Sequence, residues 1–276
     1  MKTILLLTNF SKASTNAISS FLNVFSQYLD EEYKFILLNA YSQPHFGKGV
    51  LINIEDTLEL YSNSDLKEEQ KKYLEIIGEK KIQFDIASYN GDILEAIDFI
   101  SKKNKIHLIL MGSKGSNIIK ELLISNNTSR IINRSKTPVL IIPENAILSK
   151  PERLVLASDT ITTANKEEFK IMLERLAFIK AELLVLNVYK DEKPDTTGFE
   201  SFMNKNLKTI NHSFHYIQDP DIAHGISSFV RKFNFAILAL IGHNGSLLSK
   251  LFNHSISNKL AFKAEQPVLI LNADSE

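Results

Sequence analysis

"LILMGSKGSNIIKELLISNNTSRIINRSKTPVLIIP", residues 108–143, carries the pattern that decides the fold. An apolar run ends at Gly112, a polar turn brings a second glycine at Gly115, a helix-forming stretch follows, and a second apolar run closes at Pro143. Strand, glycine turn, helix and strand in succession make a parallel α/β unit. A glycine at the end of such a strand is also the residue that lets backbone amides approach phosphate oxygens. The stretch therefore sets a fold and asks whether its turn holds a ligand.

The pattern occurs twice. "HLILMGSKGS" at 107–116 returns as "AILALIGHNGS" at 236–246, and "TPVLIIP" at 137–143 returns as "QPVLILN" at 266–272. Gly112 and Gly115 map to Gly242 and Gly245 at an offset of 130, and Pro138 maps to Pro267 at an offset of 129. The openings "KTILLLTNFSKAS" and "PERLVLASDTITT" match at an offset of 150, Thr8 against Ser158, so about twenty residues are missing from the middle of the second copy. A tandem duplication is expected, with domains 1–147 and 148–276.

In the first copy the strand candidates are 3–8, 34–40, 83–88, 106–111 and 138–142, apolar throughout rather than alternating, as strands covered on both faces are. Ala17, Ile18, Phe21, Leu22, Phe25 and Leu29 form one helical stripe, and Ile93, Leu94, Ile97 and Ile100 another. Gly91 and Asp92 read as turn and N-cap before the second helix, and Asp221 stands in the equivalent place after Pro220. Alternating strands and helices imply right-handed crossovers and a doubly wound parallel sheet in each half.

The opening "ILLLTNFSKAS", the "GD" before a helix, "LILMGSKGS" and "NNTSRIINRSKTPVLII" resemble the universal stress protein family in its tandem form, over essentially the whole chain. The resemblance implies two tandem five-stranded parallel sheets of order 3-2-1-4-5, the adenine nucleotide alpha hydrolase-like fold. It also implies a crevice at the carboxyl ends of strands 1 and 4. There an adenine nucleotide such as ATP would meet Thr8, Asn9 and Ala40 at base and sugar and the backbone around Gly112, Gly115, Asn126 and Asn127 at the phosphates, with Met111 and Ser125 also in the expected site. Family members that pair their fifth strands between chains imply an internal pseudo-dimer here, with Val139, Leu140 and Ile141 antiparallel to Val268, Leu269 and Ile270. An uncovered apolar edge at these strands would be prone to aggregate.

The family's nucleotide motif is incomplete. Its third glycine is replaced by Ser125, Asn126 stands in place of the following hydroxyl residue, and Asn9 replaces the usual aspartate after strand 1. An asparagine keeps a carbonyl able to accept from an adenine amino group but loses the charge. The second copy keeps Asp159, Gly242 and Gly245 but has His254 and Ser255 at the last turn, which favours packing over ligand binding. Gly112 and Gly242 could equally serve only to end a strand, since a lone G-x-x-G is a weak signal.

Other signals point away from chemistry. "KGSNIIK" is not a Walker A loop, and "GSKGS" follows a fourth strand rather than a first. His212 and His215, with His224 nearby, invite a metal reading, but residues three apart on a strand face opposite ways. "DLKEEQKKYLEIIGEKK" reads as a solvated helix face with Leu66, Leu74 and Ile77 turned inward. No nucleophile, base and oxyanion donors assemble in the sequence, so no catalysis is expected. Lysine plus arginine equals aspartate plus glutamate, 32 against 32, which disfavours a nucleic-acid or anionic-membrane partner. The chain has no cysteine, in keeping with a reducing compartment. The short opening apolar run reads as a buried strand rather than a signal peptide, and the expected location is cytoplasmic.

Two functions of different class follow. One is a nucleotide-free interaction or regulatory protein of the stress response, acting on a protein partner, with a degenerate nucleotide site; the substitutions at Asn9, Ser125 and Asn126 favour it. The other is an ATP-binding regulatory module using the first-half cradle. Homodimerisation of whole chains stays open beside the internal pairing.

Overall fold

The computed structural model describes residues 1–29, 32–42, 55–114, 126–146, 148–157, 181–208, 210–233, 236–242 and 266–272. The expected site residues Gly115 and Ser125, and Asp159, Gly245, His254 and Ser255 of the second copy, lie outside them.

The chain divides into two compact units, Met1–Gly112 and Ser113–Glu276. In the first, β1 (Lys2–Leu7) lies between β2 (Tyr33–Tyr41) and β4 (Ile106–Ser113), and β3 (Gln83–Asn90) pairs with β2, all parallel. In the second, β6 (Arg153–Ala157) lies between β7 (Glu182–Tyr189) and β9 (Ala236–Gly242); β8 (His212–Gln218) pairs with β7 and β10 (Val268–Asn272) with β9, again all parallel. The exception is β5 (Val139–Pro143), which runs antiparallel to β10.

In hydrogen-bonding order the strands read β3-β2-β1-β4-β5-β10-β9-β6-β7-β8, so the order 3-2-1-4-5 recurs in each repeat. The fifth strands of the two repeats pair antiparallel, as the internal pseudo-dimer expected, so neither is an edge. Val139, Leu140 and Ile141 stand opposite Ile270, Leu269 and Val268, all at most 1% exposed. The compact units part at Gly112, near the end of β4. β5 ends the first repeat in sequence but packs with the last strand of the second.

Helix α1 (Lys12–Phe25) starts at Ser11, whose hydroxyl accepts from Ser14 N, and buries Ala17, Ile18, Phe21, Leu22 and Phe25. Leu29 of the expected stripe is buried too, but beyond a 3-10 turn at Ser26–Tyr28. α2 (Glu55–Ile77) turns Leu66, Tyr73 and Ile77 inward. Leu74, expected inside, is 42% exposed. The buried positions 66, 69, 73 and 77 follow the helical period, and Leu74 falls one residue past that line.

α3 (Ile93–Ser101) is capped by Asp92, whose carboxylate accepts from Leu94 N at 2.9 Å. Its buried residues are Leu94, Ala96 and Ile97, while Ile93 and Ile100 are half-buried. Gly91 before it has φ +147°, a conformation that side chains rarely adopt. The next described helix, α4 (Asn126–Arg134), precedes β5.

In the second repeat α5 (Thr197–Asn206) takes the place of the longer α2, which accounts for residues missing from that copy. α6 (Ile222–Val230) repeats the α3 device, with Asp221 accepting from Ala223 N and His224 N. His212 meets Asn204 of α5 at 2.9 Å and His215 stacks on Phe229 of α6 at 4.9 Å, so the two rings leave β8 on opposite faces.

Two outcomes test this description. Leu140→Ala and Leu269→Ala should each cost about 2–5 kcal/mol in urea unfolding. Because the residues are register partners, the double variant should depart from additivity by about 0.5 kcal/mol or more. The second concerns Glu200, which accepts from Tyr216 Oη and from Thr196 Oγ1. The Tyr216 bond, then the Thr196 bond, hold its carboxyl below the usual glutamate value. A depressed folded pKa gives stability that is complete above the ordinary pKa and lost as pH falls through the folded one. Glu200→Gln should therefore flatten the acid limb of melting temperature against pH and leave the neutral region level.

Candidate functional site

The first repeat's expected site lies where β1, β2 and β4 end. Register places Leu7 beside Leu38 and Leu6 beside Leu110, so Thr8, Ala40 and Gly112 come at the carboxyl ends of neighbouring strands. Ala40 is half-buried, level with Tyr89 of β3, and Met111 is buried within β4. Asn126 and Asn127 open α4.

Thr8 is bonded within the protein. It is 5% exposed, and its hydroxyl donates to Glu69 Oε2 at 2.9 Å while accepting from Phe10 N at 3.0 Å. Its amide donates to Leu38 O, and its carbonyl accepts from Asn39 Nδ2 at 2.9 Å. Asn9 is exposed, but its side-chain carbonyl accepts from Ser11 N at 3.2 Å and from Ser14 Oγ at 3.1 Å. Two lone pairs serve those two bonds, which close the loop into α1.

Between them the backbone turns at Phe10, with φ 60°. A bulky residue there costs about 1–2 kcal/mol relative to ordinary backbone. The bond from its amide to Thr8 Oγ1 helps to hold that turn.

Gly112 is needed for close approach, but the approaching group is the protein's own. A Cβ on Gly112 would lie 2.2 Å from Ala13 O, 2.5 Å from Ala13 C and 2.8 Å from Ser14 N. The first turn of α1 therefore packs directly against the end of β4.

Sequence reasoning missed Glu69. It sits in the charge run read as a solvated face, yet it is 7% exposed and accepts from Thr8 Oγ1 and, at 2.7 Å, from Thr15 Oγ1. Its position on the line through Leu66 and Tyr73 was the available signal. Burial, then the nearby Glu69 charge, pushes the Tyr73 phenol well above its usual pKa. The polar chain continues under α2: Ser62 Oγ donates to Asn39 Oδ1 at 2.9 Å, and Ser88 Oγ to Ser62 Oγ at 2.7 Å. The carboxyl ends of β1, β2 and β3 are thus tied to α1 and α2 by buried and half-buried side-chain hydrogen bonds.

A doubly wound parallel sheet repeated in tandem, with a glycine near the end of the fourth strand of each repeat, defines the class, and comparison supplies the family. A family model described as the universal stress protein family matches residues 1–143, just over half the chain, and the protein belongs to that family. A universal stress protein from Archaeoglobus fulgidus is similar in fold over 98% of each chain, with TM-score 0.72 at 18% identity. A functionally unknown protein from Pseudomonas aeruginosa PAO1 matches over 98% of this chain and 92% of its own, with TM-score 0.54 at 12% identity. A putative universal stress protein from Pseudomonas aeruginosa UCBPP-PA14 matches over the same shares, with TM-score 0.52 at 12% identity. Identities this low establish the shared fold alone. Comparison with curated sequences returns no match. Among the described residues no helix is long and apolar enough to cross a membrane.

Gly112→Ala should destabilise the protein by about 3 kcal/mol or more without any ligand present, because the opposing group is backbone. A melting temperature unchanged by that substitution would assign the glycine to ligand contact instead. Glu69→Ala should cost about 1–3 kcal/mol for each hydroxyl left without an acceptor. Glu69→Gln, which keeps one acceptor oxygen, should recover part of the loss in the same unfolding measurement.

Proposed function

We propose that this universal stress protein is a non-catalytic interaction or regulatory module whose first-repeat nucleotide site is degenerate. The observation that carries this reading is the internal use of the expected ligand groups: the Thr8 hydroxyl on Glu69, the Asn9 carbonyl on Ser11 and Ser14, and the Gly112 clearance filled by Ala13. A crevice whose donors and acceptors already serve the fold must break internal bonds to take a ligand, and unpaired polar groups are costly. In this reading the protein acts through its surface, on a protein partner.

The retained Gly112 and Gly115 support the competing reading, an ATP-binding regulatory module in the first repeat. Calorimetric titration of ATP into the full chain separates the two. The degenerate site gives no heat of binding at millimolar ATP. Binding tighter than about 100 μM, near −5.5 kcal/mol, and lost in Gly115→Val, would establish the ATP-binding module and overturn the proposal.

A further inference from the structure

Among the described residues β3 and β8 end the strand order, and the two edges differ in character. β3 carries a charge in mid-strand: Asp85, whose side chain is 43% exposed, pairs with Lys34 at 2.6 Å. A charged residue in an edge strand discourages further pairing. β8, "HSFHYIQ", holds no lysine, arginine, aspartate, glutamate or proline. Its residues are half-buried except Gln218, which is exposed.

The direction of its backbone groups follows from two bonds. Asn211 O accepts from Leu183 N at 2.9 Å, and Asp219 N donates to Tyr189 O at 3.0 Å, so the odd-numbered residues of this segment face β7. Amide and carbonyl directions alternate along a strand, which leaves His212, Phe214, Tyr216 and Gln218 with theirs turned outward.

We propose that β8 is a self-association edge, taking the β8 strand of a second copy of this chain in antiparallel pairing about His215. That register sets His212 opposite Gln218 and Phe214 opposite Tyr216. Each of the four outward residues then exchanges both backbone bonds with its opposite, and no outward group inside the strand is left over. Phe214 and Tyr216 become cross-strand aromatic pairs, among the stabilising combinations for a sheet. On the other face Ser213 meets Ile217, and His215 meets His215 of the second copy.

Charge favours the same occupant. The strand entrance near exposed Lys208 is brought toward the exit at Asp219 and Asp221 of the second copy, and the converse holds by symmetry. An arbitrary peptide would have to supply this complementarity; a second copy has it built in. The chain already joins two of its own strands antiparallel at β5 and β10.

The cysteine-free sequence makes the register testable by single substitutions. At about 100 μM the full chain should sediment at twice its monomer mass. Gln218→Pro removes an outward backbone amide that makes no bond to β7, together with the side-chain bonds to Lys190 O and Asp191 O; it should weaken association at least about tenfold relative to Gln218→Ala, which loses the same side-chain bonds but keeps the amide, while the two variants melt alike.

Residues opposite each other in a non-hydrogen-bonded antiparallel pair have Cα atoms about 4.5 Å apart, within disulfide reach. Under mild copper-catalysed oxidation His215→Cys should give a covalent dimer. Ser213→Cys and Ile217→Cys should not do so singly, and the Ser213→Cys/Ile217→Cys double variant should. A monomer in sedimentation, or equal cross-linking at 213, 215 and 217, would overturn the proposal. So would a dimer indifferent to Gln218→Pro. Binding of a synthetic β8 peptide to a monomeric chain would show a peptide-docking edge in place of a dimer and would overturn it too.

Discussion

The antiparallel seam between β5 and β10 is the contact on which the rest of the sheet depends. Each strand is five residues long and apolar, and on its own repeat it would be a terminal strand with one ladder unpaired. Setting Leu140 against Leu269 turns two aggregation-prone edges into the interior of one sheet. The prolines at 138 and 267 fit this use. They stand just before the strands, where a missing amide costs no ladder bond, and Pro267 still accepts through its carbonyl from Leu238 N at 3.1 Å.

At the other end of β4 the controlling constraint is steric. Gly112 lets α1 start against the strand at a distance no side chain would permit, and the start of α1 in turn fixes Ser11, Ser14 and Thr15. From there the hydroxyls of Thr8 and Thr15 reach Glu69, and a buried carboxylate becomes acceptable because it receives two bonds. One glycine and one glutamate thus join β1, β4, α1 and α2. Function read from residue types alone would assign the same Thr8, Asn9 and Gly112 to a nucleotide. Their hydrogen bonds and clearances show that each also serves the fold.

Much of this was legible from the sequence wherever a local rule acts alone. Asp92 and Asp221 cap their helices as a short polar residue after a turn should, and the terminal strands pair antiparallel as the family resemblance implied. Legibility failed where two helical neighbours competed for one buried position. Leu74 is more apolar than Tyr73, yet the line through Leu66 and Ile77 passes through Tyr73, and geometry prevailed over hydropathy. Glu69 was hidden for the same reason: a carboxylate in a charged run looks solvated until its partners from β1 and α1 are in place.

The seam has a consequence for the order in which the chain becomes whole. β5 is finished at Pro143, but its partner begins only at Val268. At ordinary rates of synthesis the wait between them is on the order of 10 s. Through that interval the ladder of β5 that β10 will fill stands open on a nascent chain, bordered by a strand of five buried residues. Closing it joins segments far apart in sequence, the kind of contact that forms late and slowly. Translation thus leaves an interval in which a chaperone, or the edge of a neighbouring nascent chain, competes with β10 for the same backbone.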